Sequence, residues 1–466
     1  MEATYIALNA HVVARMDFLV YALFGMSVER DYQIGAIVGL GRGDEGKGRF
    51  VDKEAENYHI VARGQGGPNA GHTVLTDEGQ ELALHSVPSG IAREGVMNVI
   101  GRGCLIDAVK LAYEIDAIRR LGLPVEPSNL IISHGAHLIL PHHVSTDELR
   151  ESGPNAQGST KSGIAPAAAA KFGRFEDEAF RAEAVVDNLD GLWRAIVAGL
   201  ESQAEVRKAN GLNAMKPEEY ADKYIRSARK LGQFVGDTEL YLHERLKSGD
   251  KVLVEGAQAF WLDPAHGMWP MVTSTPTTAN GVFDGLGLPA HLYKTNVVGV
   301  IKLVQSHVGG GPFVTEVLDP ELQKQLHGRS GLVDSEEGTT TGRKRRLGNL
   351  DLPGIRRAML INGVGELAVT KLDWVPRFGE SVKICTSYNF GDQKVDISPE
   401  GAKRLQACTP NYVELPTWTQ NIQDVRRFKN LPKEARDYIE FIEGQLDIGI
   451  SMIGVGPARS QAIDRR

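Results

Sequence analysis

Three features of the sequence predict an α/β fold: a single large domain on a mostly parallel central sheet, with a P-loop-like nucleotide loop and helical insertions. Strand-like apolar runs alternate with helical stretches along most of the chain. The first run passes directly into a glycine loop of the kind that cradles phosphate. No fixed-period repeat, low-complexity tract or Pro/Ser linker divides the 466 residues.

The runs are AIVGL (36–40), HIVAR (59–63), NLIIS (129–133), KVLVEG (251–256), NVVGVIKLV (296–304), ELAVT (366–370), SVKICTSY (381–388) and SMIGV (451–455). Helices between strands favour parallel pairing, because the chain must cross a sheet face to return. KGRFVDKEAE extends the first loop as a helix, and IDAVKLAYEIDAIRRLG (106–122) and ARDYIEFIEGQL (435–446) carry helical periodicity. Residues 175–250 are rich in Ala, Glu, Lys and Leu and poor in Gly, so the domain at 33–466 is expected to make a helical excursion there. Residues 1–32 read as an N-terminal extension that need not be ordered. Arg15 and Asp17 break its apolar stretch, no basic segment opens it, and Met26 stands as an alternative start.

Composition bounds the function. With 52 Lys+Arg against 59 Asp+Glu, the net charge of -7 argues against a nucleic-acid surface, though it allows a locally basic pocket. An apolar content of 42% excludes a mainly disordered chain. Cys104, Cys385 and Cys408 lie far apart with no CxxC pair, which suits a reducing cytoplasm and supplies neither metal cluster nor disulfide framework. Glycine is the outlier, 52 of 466 residues or roughly 11% against the usual ~7%.

The clustered glycines carry the chemistry. In GRGDEGKGR (41–49), Gly41, Gly46 and Lys47 satisfy G-x-x-x-x-G-K after a strand, so backbone amides and Lys47 can face phosphate oxygens. Position 48 is Gly where a P-loop has the hydroxyl that holds Mg²⁺, leaving Asp44 as the nearest metal oxygen or proton acceptor. The second loop, GQGGPNAGHT (64–73), offers Asn69, Gly71, His72 and Thr73, and His72 is the group best able to donate a proton near neutral pH. Taken alone, either loop also reads as an ordinary glycine turn. TKLD (370–373) resembles the guanine-reading turn of GTP-binding proteins, with Asp373 accepting from the base and the Lys371 stem on its ring. GTTTGRKRRLG (338–348) combines hydroxyls with Arg343, Lys344, Arg345 and Arg346, a pattern suited to capturing a carboxylate or phosphate. EGAQ (255–258), VTSTPTT (272–278) and SHVGGGPF (306–313) add amide, hydroxyl and backbone donors; His85, His142 and His143 read as structural.

In order, GDEGKGR, GGPNAGHTV, LHSVPSGI, EGAQ, VGGGPFVTE, TTTGRKRR, TKLD and GVGPAR resemble the motifs of the adenylosuccinate synthetase family across roughly residues 36–460. The resemblance implies a cytoplasmic homodimer with Mg²⁺ as cofactor and neither nucleic acid nor membrane as partner. The resemblance further implies that the chain joins L-aspartate to IMP at the expense of GTP. Asp44 and His72 would be catalytic, with Mg²⁺ between Asp44 and the backbone oxygen of Gly71. GTP would be held by Gly43, Glu45, Gly46, Lys47, Gly48, Arg49, Gly71, Thr73, Arg345, Lys371, Leu372, Asp373, Gly454, Val455 and Gly456. IMP would be held by Asp44, Lys47, Asn69, His72, Thr160, Gln258, Thr273 and Arg343, with Arg174 reaching its 5′-phosphate from the partner subunit. Aspartate would meet Thr339, Thr340, Thr341, Gly342, Arg343 and Arg345.

The chain departs from the family pattern around the substrates. Gly41 and Arg42 stand in place of Gln and Trp, Ser162 of Arg, Ala168 of Tyr, His307 of Arg and Asn349 of Trp. Two alternatives stay open: a paralogue converting dGMP to 2-aminoadenylosuccinate, and a GTP-binding protein without catalysis.

Overall fold

A ten-stranded sheet forms the centre of the computed structural model, which describes residues 32–75, 79–154, 156–307, 309–328, 336 and 344–466. The expected N-terminal extension up to residue 31 lies outside the described residues, as do Thr339, Thr340, Thr341, Gly342 and Arg343. The strands follow the order Ala462–Asp464, Ile450–Gly454, Glu366–Thr370, Thr295–Lys302, Ile34–Gly39, Val252–Glu255, Ile60–Arg63, Met97–Ile100, Leu130–Ser133 and Val235–Gly236. All neighbours are parallel except the edge pair Ile450–Gly454 and Ala462–Asp464. Ile34–Gly39 and Val252–Glu255 are buried along their whole length, as strands covered on both faces must be.

Side chains alternate between two cores. Ile34, Ala36 and Val38 join the apolar cluster that holds Ile355 and Ala358 of helix Leu352–Asn362 and Ile439 and Ile442 of helix Lys433–Leu446. Ile37, between them, packs with Phe50 and Val51 of helix Lys47–Glu54 on the opposite face. Ile34–Gly39 is also the pivot of the sheet. The strands from Thr295 onward extend to one side, while Val252–Glu255, Ile60–Arg63 and their neighbours extend to the other. Such a reversal opens a crevice at the carboxyl ends of the strands.

Two elements differ from expectation. SVKICTSY belongs not to the parallel sheet but to a smaller one, where Ser381–Phe390 pairs antiparallel with Cys408–Pro416. Its outer half alternates exposed and buried residues, the mark of a sheet with one solvated face. Met97–Ile100 is a central strand that the periodicity concealed, because Asn98 interrupts the apolar run. Asn98 is nonetheless fully buried, its amide donating to Val96 O at 3.1 Å and Asn129 O at 3.2 Å. Between 175 and 250 lie helices Leu189–Ala209, Pro217–Leu231 and Thr238–Lys247. Within that stretch Val235–Gly236 returns to the edge of the main sheet.

Candidate active site

Because the strands are parallel, loops far apart in sequence leave the sheet at one edge. The loop after Ile34–Gly39, the loop after Ile60–Arg63, EGAQ after Val252–Glu255, TKLD after Glu366–Thr370 and Gly454–Gly456 at the end of Ile450–Gly454 all emerge there. Gly43, Asp44, Gly46, Lys47, Gly48, Asn69, Gly71, His72, Thr73, Thr160, Gln258 and Thr273 line a single cavity of about 1070 Å³.

The first loop is fixed by its own acid. Glu45, 1% exposed, accepts from the Gly43 amide at 2.8 Å and from Lys47 Nζ at 2.7 Å. Thr370 Oγ1 donates to Glu45 O at 2.7 Å, tying the loop to the TKLD strand. Asp44 sits in the left-handed region at φ 58 and its carboxylate pairs with Arg345 at 2.7 Å. Gly48 explains itself. A Cβ there would stand 2.9 Å from His72 Cβ and 3.2 Å from Ser89 Oγ, so the P-loop hydroxyl is excluded by the close approach of the second loop.

His72 opens the hairpin strand His72–Leu75 and is 6% exposed. Its Nδ1 makes a short hydrogen bond to Glu255 Oε1, and Glu255 also accepts from the Ser89 amide and Ser89 Oγ, each at 2.7 Å. Burial alone would raise the Glu255 carboxyl, but His72 and Arg63 outweigh it and hold it down at about 2. An ionised Glu255 can only accept, so Nδ1 carries the proton facing it, and Nε2 is the nitrogen left for the cavity. Burial pulls the imidazole pKa below its ordinary value, and Glu255 partly restores it. Across the cavity Gln258 Nε2 donates to Asn69 Oδ1 at 3.2 Å.

A second cluster adjoins the first through Arg345. Glu336, 1% exposed, meets Lys302 Nζ at 2.6 Å, Arg345 Nη1 at 2.8 Å and Lys371 Nζ at 3.5 Å. Burial opposes its charge, yet the three cations keep its carboxyl far below the usual range. Lys371, in the left-handed region at φ 65, lies with its ammonium 3.3 Å from the Trp374 ring centroid, and burial lowers its pKa to about 8. Leu372 is buried, while Asp373 accepts from Gln423 Nε2 at 3.2 Å. Arg49 does not point into the cavity. Its guanidinium donates to Gly456 O and Gln461 O, bracing the turn that follows Val455. Arg174 ends helix Ile164–Gly173 as an exposed left-handed residue outside the cavity. Of the departing positions, Arg42, Ala168 and His307 line the cavity, Ser162 is buried beside Lys110, and Asn349 donates to Thr315 O.

Glu255, Glu336, Lys302, Ser89 and Gln423 escaped the sequence reading. Glu255 left a usable signal: an acid ending the fully buried strand VLVE must have a partner, because an unpaired buried charge is too costly. Elsewhere among the described residues, His142, His143 and Glu178 bring ligand atoms within 4.8 Å of one another. His143 Nδ1 already accepts from the Leu140 amide at 3.1 Å, so Nε2 of the neutral ring carries the proton and has no lone pair for a metal.

The adenylosuccinate synthetase family model matches residues 36–463. The adenylosuccinate synthetase of Salinibacter ruber is 40% identical over 443 residues, 92% of this chain and 98% of the relative. That of Chlorobium limicola is 38% identical over 434 residues, 92% and 96% of the two chains. The fully ligated adenylosuccinate synthetase of Plasmodium falciparum aligns with a TM-score of 0.83 at 30% identity, over 93% of this chain and all of that one. A cyanophage S-2L succinoaminodeoxyadenylate synthetase bound to dGMP and dATP shares the fold at a TM-score of 0.54 and 18% identity, over 93% and 95%. Family model, curated relatives and architecture agree, and the chain belongs to the adenylosuccinate synthetase family of ligases that form a C–N bond.

Proposed function

We propose that the protein joins L-aspartate to IMP at the expense of GTP, giving adenylosuccinate, GDP and phosphate. The observation that carries this reading is that Asp44 and His72, 28 residues apart in sequence, share one cavity with Asn69, Gln258 and Thr273. The Asp44 carboxylate takes the N1 proton of the hypoxanthine, and O6 attacks the γ-phosphorus of GTP as GDP leaves. Arg345 pairs with Asp44 at 2.7 Å and fixes the direction its carboxylate faces. His72, carrying a proton on each ring nitrogen, donates from Nε2 to the transferring phosphoryl oxygens while Glu255 holds Nδ1–H. The α-amine of aspartate then attacks C6, and phosphate departs with O6. Placing charge where it develops is the main lever in such transfers.

Asp44 and Gly71 line the same cavity, and a carboxylate with a backbone carbonyl is a hard-oxygen donor set that fits Mg²⁺. When bound, the ion neutralises charge on phosphate oxygens. Lys371 and Asp373, with Gly454, Val455 and Gly456 beside them, take the guanine end of GTP. Arg343, Thr339, Thr340, Thr341 and Gly342 hold aspartate. The exposed Arg174 serves the partner subunit's IMP in a cytoplasmic homodimer.

The test is a substrate panel of IMP, GMP and dGMP, each with GTP and aspartate. GTP-dependent phosphate release that requires both IMP and aspartate is expected. Turnover of dGMP alone, or GTP binding without aspartate-dependent release, overturns the reading.

A further inference from the structure

Three consecutive carbonyls of one glycine turn are gripped by side chains from three parts of the chain. His307 Nε2 donates to Gly310 O, Arg346 Nη1 to Gly311 O and Arg42 Nη1 to Pro312 O, each at 2.8 Å. Phe313 ties the three together. Its ring centroid lies 4.8 Å from the Arg42 guanidinium, 5.7 Å from that of Arg346 and 6.2 Å from the His307 ring. Cations at such distances are drawn to an aromatic face.

The grip is selective. Gly309 at φ +96 and Gly311 at φ +106 adopt a backbone that other residues resist, and Gly309 and Gly310 stand in the cavity wall. With its carbonyls committed to the protein, the turn has its amides left for a ligand. The amides of Gly309, Gly310 and Gly311 donate to nothing among the described residues. His307 is kept neutral, its pKa pushed down to about 4 by burial and by Arg42, so its one ring proton goes to Gly310 O. Arg42 is 4% exposed and has no carboxylate ion pair among the described residues; a carbonyl, Met268 Sδ at 2.7 Å and two aromatic rings surround it instead. A guanidinium is rarely buried on such terms without a specific use.

We propose that Arg42 and His307, two of the positions where this chain departs from its family, are positioning residues that act as one device. Together with Arg346 they hold the Gly309–Pro312 turn as a rigid wall whose amides meet the purine nucleotide. The assignment rests on the reading of the cavity as the IMP site. Because releasing either side chain frees the same turn, their contributions are coupled rather than independent.

Arg42→Gln, Arg42→Lys, His307→Ala and the Arg42→Gln/His307→Ala double variant test this on the full chain. Each of Arg42→Gln and His307→Ala is expected to raise the KM for IMP about tenfold, with kcat and the KM for GTP within about twofold. The double variant stays within about threefold of the worse single, and Arg42→Lys, which keeps a charged donor, recovers most of the loss. An unchanged IMP KM in Arg42→Gln, or a double-variant loss near the ~100-fold product of the singles, overturns the proposal. So does a uniform change in all three KM values and kcat accompanied by a lower Tm. Backbone 15N order parameters at Gly309, Gly310, Gly311 and Phe313 in the ligand-free protein separate this inference from the reaction assignment. Lower order parameters in both single variants support it even if IMP proves not to be the substrate, and unchanged values sink it even if IMP is turned over.

Discussion

Glu255 and Glu336 are both buried carboxylates at the edge of one sheet, yet they are held in opposite ways. Glu255 has one titratable partner, His72, and two neutral donors from Ser89. Glu336 has three cations, Lys302, Arg345 and Lys371. The first arrangement leaves the partner free to change protonation state, so the acid can orient a proton-carrying ring. The second sets one carboxylate among three cations and gathers side chains that would otherwise repel. Burial is common to both; the partners decide whether a carboxylate serves chemistry or architecture.

The largest expected effect belongs to the reacting pair. Asp44→Ala or His72→Ala should lower kcat by about 10²–10⁴-fold with the fold intact by circular dichroism, and near-normal turnover in either would contradict the assigned roles. Next comes Glu336→Gln. It strands Lys302 in the core and should cost about 3–5 kcal/mol in denaturant unfolding, since one partner of a buried pair is lost. Glu255→Gln should lower kcat about 10²-fold, because the ring loses its anionic anchor, and should cost about 3 kcal/mol of stability at neutral pH. A Glu255→Gln variant with normal kcat, or a fully stable Glu336→Gln variant, would undo the contrast drawn above.

Acid titration sharpens the comparison. The Glu255 carboxyl is held at about 2 when folded against 4.5 when free, so its stabilisation is complete above about 4.5 and is lost as pH falls toward 2. The wild type should lose about 3 kcal/mol over that window from this group, a loss that Glu255→Gln does not show. Unfolding curves at stepped pH measure it, and parallel limbs in the two proteins would remove the ionic account of Glu255. The smallest effect is at the guanine end, where Gln423→Ala should raise the GTP KM about threefold by taking a donor from Asp373. An unchanged KM would leave that contact without a role.

Much of this was legible in the chain. Glycine loops after apolar runs marked Asp44, Lys47, Asn69 and His72, since residue type and spacing alone limit what such loops can do. SVKICTSY reads as a strand and forms one, but a short run specifies extended backbone, not which strands it will pair with. Met97–Ile100 was hidden because Asn98 finds its partners only after folding. The family resemblance gives Arg49 to GTP, and only the fold shows its guanidinium donating to Gly456 O and Gln461 O.

The sequence by itself determined the parallel α/β architecture, the chemical types in the nucleotide loops and the family to which they belong, because all three are written in local pattern and motif order. The tertiary structure alone decided which acid faces which base. Glu255 is 183 residues from His72, and Arg42 is 270 from the carbonyl it holds. Contacts of that separation are set by how parallel strands are ordered in the sheet, and strand order is a property of the packed molecule that no local stretch of sequence carries.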